Sequence, residues 1–265
     1  MQKPPPLLRW TRASLILLSG FVAVIALIIY VWWPLAQAYL ASADWHGAWW
    51  RTMDWLLIGI FLFMSVTIVA GADLRRDTLI VLVASVGGLV IEAWGTQTNL
   101  WFYYTSERPP LWIVPAWPIA TLSIDRLTRG LSAVLPSRGR AYAVLYWVTF
   151  GGFYALMLAF VAPTLGRIDT VLALLLCALL IVTPSDRRLA LLIFAAGAGL
   201  GYFLELWGTT RECWTYYTLE TPPLFAVLAH GMAAVAFWRT GLVLRSLAAR
   251  LGLFRPRPAE PSHAA

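Results

Sequence analysis

The chain has 265 residues, 60% hydrophobic and 12% charged, with a mean hydropathy of +0.72. So little polar surface excludes a water-soluble globule and points to a polytopic membrane protein. The net charge of +7 lacks the Lys/Arg run or aromatic-interleaved basic patch of a nucleic-acid-binding protein, and Cys177 and Cys213 supply neither a disulfide framework nor metal-ligand spacing.

In chain order, residues 1–12 carry Lys3, Arg9 and Arg12 around a triple proline, and 14–33 is an uncharged apolar run. At about 20 residues it can span a hydrocarbon core of ~30 Å. Residues 36–38 resemble a signal-peptidase site, but the apolar run exceeds a usual signal core, so an uncleaved first helix is expected. Further spans are predicted over 55–72, 78–93, 111–124, 142–162, 168–183, 189–206 and 224–244, eight in all. The fourth is short and interrupted by Pro115 and Pro118.

One stretch occurs twice. At an offset of 113 residues, positions 92–116 and 205–229 are identical at 14 of 25 places, and thinner matches continue through Asp73/Asp186, Arg75/Arg188, Gly88/Gly201 and Arg126/Arg239. This is an internal duplication. The expected organisation is a first membrane repeat over 1–126, a cytoplasmic linker over 127–141, a second repeat over 142–250 and a disordered tail over 251–265.

The fold class expected is therefore an all-α polytopic membrane protein with about eight transmembrane helices in two parallel four-helix repeats. With alternating sides assigned, sixteen of the twenty Lys and Arg fall on one side, leaving only Arg51, Arg108, Arg167 and Arg211 on the other. Cytoplasmic loops carry such an excess, so both termini are expected to be cytoplasmic and both repeated motifs to face outside, in a bacterial inner membrane. Four spans per repeat orient the copies alike, related by a pseudo-two-fold along the membrane normal.

Small residues precede each motif glutamate at helical spacing: Ala84, Gly88, Glu92 and Gly197, Gly201, Glu205. Residues four apart share a helix face, so the glutamates are expected to point into the bundle. Fifteen residues beyond Asp77, Glu92 would lie ~22 Å along its helix. Buried there, a carboxyl group is either protonated or held by hydrogen bonds and a cation. Two roles are open: an acceptor that fastens its own following loop, or a group in substrate or ion chemistry.

Aromatic residues form the second constellation. Trp94, Trp101, Tyr103 and Tyr104, with their partners Trp207, Trp214, Tyr216 and Tyr217, are expected to line a substrate cavity, whose faces would stabilise a cation or pack a flat polyene. Thr96, Thr209 and Arg211 complete the candidate binding set. The copies differ where Asn99 becomes Glu212 and Trp117 becomes His230, so the second copy is the better candidate for chemistry, with Glu92, Glu205, Glu212 and His230 as candidate catalytic residues. No metal ligand set and no nucleotide loop is recognisable.

Glu-x-Trp-Gly-Thr, then Trp-x-Tyr-Tyr and Pro-Pro-Leu-Trp-x-Val-Pro-Ala-Trp, resembles the integral-membrane carotenoid-biosynthesis proteins, most closely the carotenoid hydratase-type family. More distantly, Trp101-Phe-Tyr103 and Trp214-Thr-Tyr216 are similar to an element of the membrane lycopene cyclase domains. The chain lacks the Pro-Phe-Gly of the first family and the Pro-x-Glu-Glu of the second. The resemblance implies that Glu92 and Glu205 are the acidic motif residues, that the reaction is protonation of an isoprenoid double bond, and that no cofactor is needed.

Three functions follow as expectations: a carotenoid- or isoprenoid-modifying membrane enzyme of hydratase (lyase) or cyclase (isomerase) type, a non-catalytic lipid- or pigment-binding subunit, and a proton-coupled transporter built on a Glu92/Glu205 pair. The first two take a hydrophobic isoprenoid or lipid ligand within the membrane, and none calls for nucleic acid. Against the third, only the proline-broken fourth segment shows a mid-membrane interruption. Oligomeric state is left open.

Overall fold

The computed structural model describes residues 10–43, 45–136, 139 and 141–252. It is an all-α membrane protein with a single two-stranded ribbon among the described residues. In the first repeat, α1 (Arg12–Val31), α4 (Trp55–Val69), α5 (Leu74–Gln97) and α6 (Ala116–Val134) are the long helices. The short α2 (Trp33–Ser42) and α3 (Trp49–Thr52) fill the connection from α1 to α4. The second repeat holds α7 (Ala141–Phe160), α8 (Ile168–Val182), α9 (Arg187–Thr210) and α10 (Leu224–Arg250). Strands β1 (Trp101–Tyr103) and β2 (Trp214–Tyr216) follow α5 and α9.

Five helices, α1, α5, α7, α9 and α10, are long and apolar enough to cross a membrane, and α4 and α8 are shorter apolar helices. The segment expected to be weakest behaves differently from its prediction. Chain 111–115 is turn, and α6 begins only after Pro115, then continues to Val134 through much of the expected linker. Pro115 and Pro118 sit at the helix start, where a missing backbone N–H costs nothing. The expected disordered tail lies, from residue 253 onward, outside the described residues.

The pairs kept between repeats have structural reasons. Asp73 and Asp186 are the N-caps of α5 and α9, accepting from the backbone N–H of Arg75 at 3.0 Å and of Leu189 at 2.9 Å. Arg188 donates to the carbonyls of Ser132, Leu135 and Pro136, satisfying the end of α6. Arg239 does the same for α8 at Thr183. Its counterpart Arg126 instead grips Asp77 through both terminal nitrogens, at 2.9 and 2.6 Å, with side-chain exposures of 4% and 1%.

Helices α5, α6, α9 and α10 form the central bundle. Its closest approach is α9 on α10, and the small-residue face read from the sequence is what permits it. A Cβ on Gly197 would stand 2.8 Å from the Gly231 Cα and 2.9 Å from the His230 carbonyl oxygen, both backbone atoms that cannot move aside. Gly88 and Gly201 lie likewise against the Trp117 and His230 side chains.

The ribbon places the duplication on an axis. β1 and β2 pair antiparallel with Phe102 opposite Thr215, and these two are equivalent residues of the two copies. Trp101 then faces Tyr216, and Tyr103 faces Trp214, each pair with ring centroids 6.0 Å apart. The two motifs are thus related by a local two-fold through the centre of the ribbon.

The outer helices break this symmetry. α4 packs on α6 and α9, whereas its counterpart α8 packs on α7 and stands off the corresponding face of α10 and α5.

Gly197→Ala should destabilise the protein by about 1–3 kcal/mol through overpacking of α9 on α10, whereas Gly199→Ala, with nothing within 4 Å of its added methyl group, should be neutral or stabilising. Melting of the two variants in detergent checks the contrast.

Candidate functional site

Glu92 and Glu205 occupy the ribbon-side ends of α5 and α9, where they are 3% and 4% exposed. Each carboxyl group has three hydrogen-bonding partners. Glu92 accepts from Trp101 Nε1 on Oε2 at 3.0 Å, and from Tyr103 Oη and Trp117 Nε1 on Oε1 at 2.9 and 3.1 Å. Glu205 accepts from Trp214 Nε1 on Oε2 at 2.8 Å and from Tyr216 Oη on Oε1 at 2.9 Å, while His230 Nε2 lies 2.8 Å from the same Oε1. The two sites are superimposable in role, differing at Trp117 and His230.

Local chain geometry explains how the donors arrive. The loop indole nine residues on folds back across the helix that carries the glutamate, and only a glycine admits it. A Cβ on Gly95 would lie 1.9 Å from the Trp101 ring, and one on Gly208 would lie 2.0 Å from the Trp214 ring. The reversal between helix and strand uses Asn99 and Glu212, both with positive φ. Burial, followed by the adjacent carboxylates, pushes the Tyr103 and Tyr216 phenols well above the ordinary tyrosine range, which keeps both as O–H donors. The Cys213 thiol is pushed up to about 12 by burial, and is an inert packing group.

A cavity of about 640 Å³ reaches this constellation. Glu92, Glu205, Trp117 and His230 line it, together with Trp101, Tyr103, Trp214 and Tyr216. The opposite wall comes from α7 and α8, through Phe153, Met157, Leu172, Ala173 and Leu176. Val90 on α5 and Leu172 and Leu176 on α8 are each more than half exposed, so the cavity opens sideways through the apolar flank of the bundle. Gln97 and Asp169 are polar groups in its wall near the ribbon. Trp117 stacks on the His230 ring, with centroids 5.7 Å apart and planes 21° from parallel.

The cavity opens on the side of the axis that faces α7 and α8. Tyr104 Oη donates to the Val31 carbonyl and Tyr217 Oη to the Phe160 carbonyl, which makes the following residues, Trp32 and Val161, equivalent. Trp32 stacks on Trp207 at 5.1 Å and meets Trp112 and Trp214. The counterparts of those three partners are Trp94, Phe225 and Trp101, and all three line the cavity. Val161 is fully buried, and the neighbouring Phe160 ring stacks on Phe225 with centroids 4.1 Å apart.

Of the candidate catalytic residues, Glu92, Glu205 and His230 are brought together, whereas Glu212 stands at an exposed turn and does not line the cavity. Of the candidate binding residues, Trp94, Trp101, Tyr103, Trp214 and Tyr216 line it. The others are held elsewhere. Thr96 and Thr209 donate to the Glu92 and Glu205 backbone carbonyls within their helices. Tyr104 and Tyr217 fasten α1 and α7. Trp207 and Arg211 both bind Asp54 Oδ2, at 2.8 and 3.1 Å.

Trp117, which completes the Glu92 site, is not among the site residues expected from the sequence, although its alignment with His230 marks the position. No family model matches this chain, and no curated protein or solved structure matches it. Among the described residues no group of three His, Cys, Asp or Glu is placed to hold a metal ion.

The donor sets make the two carboxylates differ in what they tolerate. Tryptophan N–H can only donate, and tryptophans address both Glu92 oxygens, so Glu92→Gln must set an amide N–H₂ against an indole N–H. At Glu205 the amide can face Oε1's partners, Tyr216 and His230, which can both accept. Glu92→Gln should therefore cost about 1–3 kcal/mol and lower the melting temperature in detergent by several degrees, while Glu205→Gln should cost less than about 1 kcal/mol. Equal losses would contradict the assigned hydrogen bonds.

Proposed function

We propose that the protein is a membrane enzyme that protonates a carbon–carbon double bond of an isoprenoid or carotenoid lipid, in a hydratase-type or cyclase-type reaction. The observation carrying this reading is the Glu205–His230 pair at 2.8 Å in the wall of a sideways-opening apolar cavity. Among the six side chains that hydrogen-bond the two carboxylates, His230 alone carries a ring nitrogen that can either donate or accept a proton. That capacity supports its use, with Glu205, as an acid and base. The Glu92 site, closed by two indoles and a phenol, supports the shape of the cavity.

In the proposed reaction the Glu205–His230 pair delivers one proton to an alkene carbon, and the neighbouring carbon becomes a tertiary cation. The faces of Trp117, Trp101, Tyr103 and Trp214 stabilise that charge while excluding bulk water. In hydration, water adds to the cation and its proton returns to the pair. In cyclisation, a second alkene attacks, a ring carbon loses the proton, and the product is an isomer. Both close without a net change in protons and without a cofactor. Gln97 and Asp169 are positioned to admit the water that separates the two outcomes.

The accompanying topology is eight spans, with the ribbon outside and the arginine-rich helix ends in the cytoplasm of a bacterial inner membrane. The reading is supported by the Lys/Arg asymmetry and by eight helices of 15 or more residues among the described residues, seven at the expected places and the fourth, α6, shifted towards the expected linker. A second reading, a non-catalytic lipid- or pigment-binding subunit, is favoured by one observation: Glu92 is fully engaged in fastening its own loop and α6.

The test is to extract lipids from a lycopene-accumulating bacterial host expressing wild type, Glu205→Gln or His230→Phe. Wild type should yield a product heavier than lycopene by one water, or an isomeric cyclic one. Glu205→Gln should yield none, and His230→Phe should lower the yield by roughly 10²-fold. Unchanged lycopene beside folded wild-type protein would contradict the proposal for this substrate and favour the binding subunit.

A further inference from the structure

A second cleft, of about 350 Å³, lies at the end of the central bundle opposite the ribbon. Of its 18 lining residues, 16 form eight pairs 113 positions apart, so it sits on the axis of the duplication as the ribbon does. Its two walls have nevertheless become opposite in character.

The first repeat contributes Arg76, Asp125, Thr128 and Arg129, where the second contributes Leu189, Trp238, Gly241 and Leu242. Ala234 and Phe237 extend the apolar wall towards the middle of the bundle. One exception crosses over: Ser132 of the first repeat answers to Arg245 of the second, which adds a third guanidinium to the rim.

The charges at this rim do not balance. Asp125 is shared among Arg76 at 2.6 Å, Arg126 at 3.2 Å and Arg129 at 3.2 Å, while Asp77 is taken up by Arg126. Four arginines meet two carboxylates, an excess of two positive charges, and Arg245 has no carboxylate partner among the described residues. Thr128, 6% exposed and in the cleft wall, has a buried hydroxyl with no hydrogen-bond partner. Arginine forks and a spare hydroxyl suit the oxygens of a phosphate. An apolar wall continuing inward from them suits a hydrocarbon chain, and free phosphate has no use for it.

We propose that this cleft binds the phosphate headgroup of an anionic membrane lipid, with Arg76, Arg129 and Arg245 on the phosphate and the first part of the lipid chain along the Leu189–Phe237–Leu242 wall. Basic pockets between membrane helices bind such headgroups because the charge attraction adds to ordinary chain packing. The site is separate from the acid-lined cavity, and does not depend on the reaction proposed for it.

The test is native mass spectrometry of the full-length protein in neutral detergent, offered phosphatidylglycerol and phosphatidylcholine of matched chains. The protein should retain phosphatidylglycerol over phosphatidylcholine by roughly tenfold or more, and Arg129→Gln/Arg245→Gln should abolish that preference. Leu189→Trp, which fills the apolar wall and leaves every arginine in place, should lower retention of phosphatidylglycerol as well, and keeps the test decisive if the double variant fails to fold. Equal retention of the two lipids, or an undiminished preference in a folded variant, would overturn the proposal. Displacement of the lipid by millimolar inorganic phosphate would also overturn it, in favour of a soluble phosphate compound.

Discussion

A carboxylate buried among apolar helices must be surrounded by donors or it will not stay ionised or in place. That constraint, met twice, organises this protein. Glu92 and Glu205 each draw an indole and a phenol back from the chain that follows, together with one side chain from the next helix. The repeated residues are the parts of this latch: a glutamate, a glycine that admits the returning indole, and a strand that alternates tryptophan and tyrosine towards the same carboxylate. Because both strands must lie beside their own glutamates, they meet on the axis and form the ribbon. The helices then have little freedom in how they assemble.

Function, in this account, comes from what the duplication did not keep. On one flank of the bundle Trp32 packs on Trp112, Trp207 and Trp214, while on the other the cavity opens beside the counterparts of those three residues. Trp117 gives the first latch a second indole, and His230 gives the second an imidazole, the group to which the proposed function assigns proton transfer. The open flank and the Glu205–His230 pair share the same cavity. At the opposite end of the bundle the walls of the second cleft diverged in the same directional way, charged in one copy and apolar in the other. A symmetric scaffold thus came to hold two asymmetric sites.

Much of this was legible in the sequence. The offset of 113 residues aligns α4 with α8, α5 with α9 and β1 with β2 residue for residue, because a repeated latch imposes the same element lengths. The inward direction of the glutamates followed from the small residues four and eight places before them. Other candidate residues were turned away for reasons that single residues do carry. Two positions after the glutamate, Trp207 is about 200° round the helix and meets Asp54 instead. Thr96 and Thr209 share the glutamate face, but a threonine hydroxyl in a helix finds the carbonyl four residues back. Glu212 occupies the turn whose positive φ sends its side chain outward. What could not be read was the wall formed by Phe153, Met157 and Leu176, which look like any lipid-facing residues until α8 is seen to stand off the bundle.

The central claim is that two latches alike in geometry differ in their third partner, an imidazole at Glu205 and an indole at Glu92. Infrared spectroscopy of the carboxyl bands, assigned by difference between wild type and each Glu→Gln variant, addresses it directly when repeated with His230→Phe. The Glu205 band should shift when the imidazole is removed, while the Glu92 band, bound by indoles and a phenol, should stay in place. Bands that shift alike, or a Glu92 band that shifts alone, would contradict it.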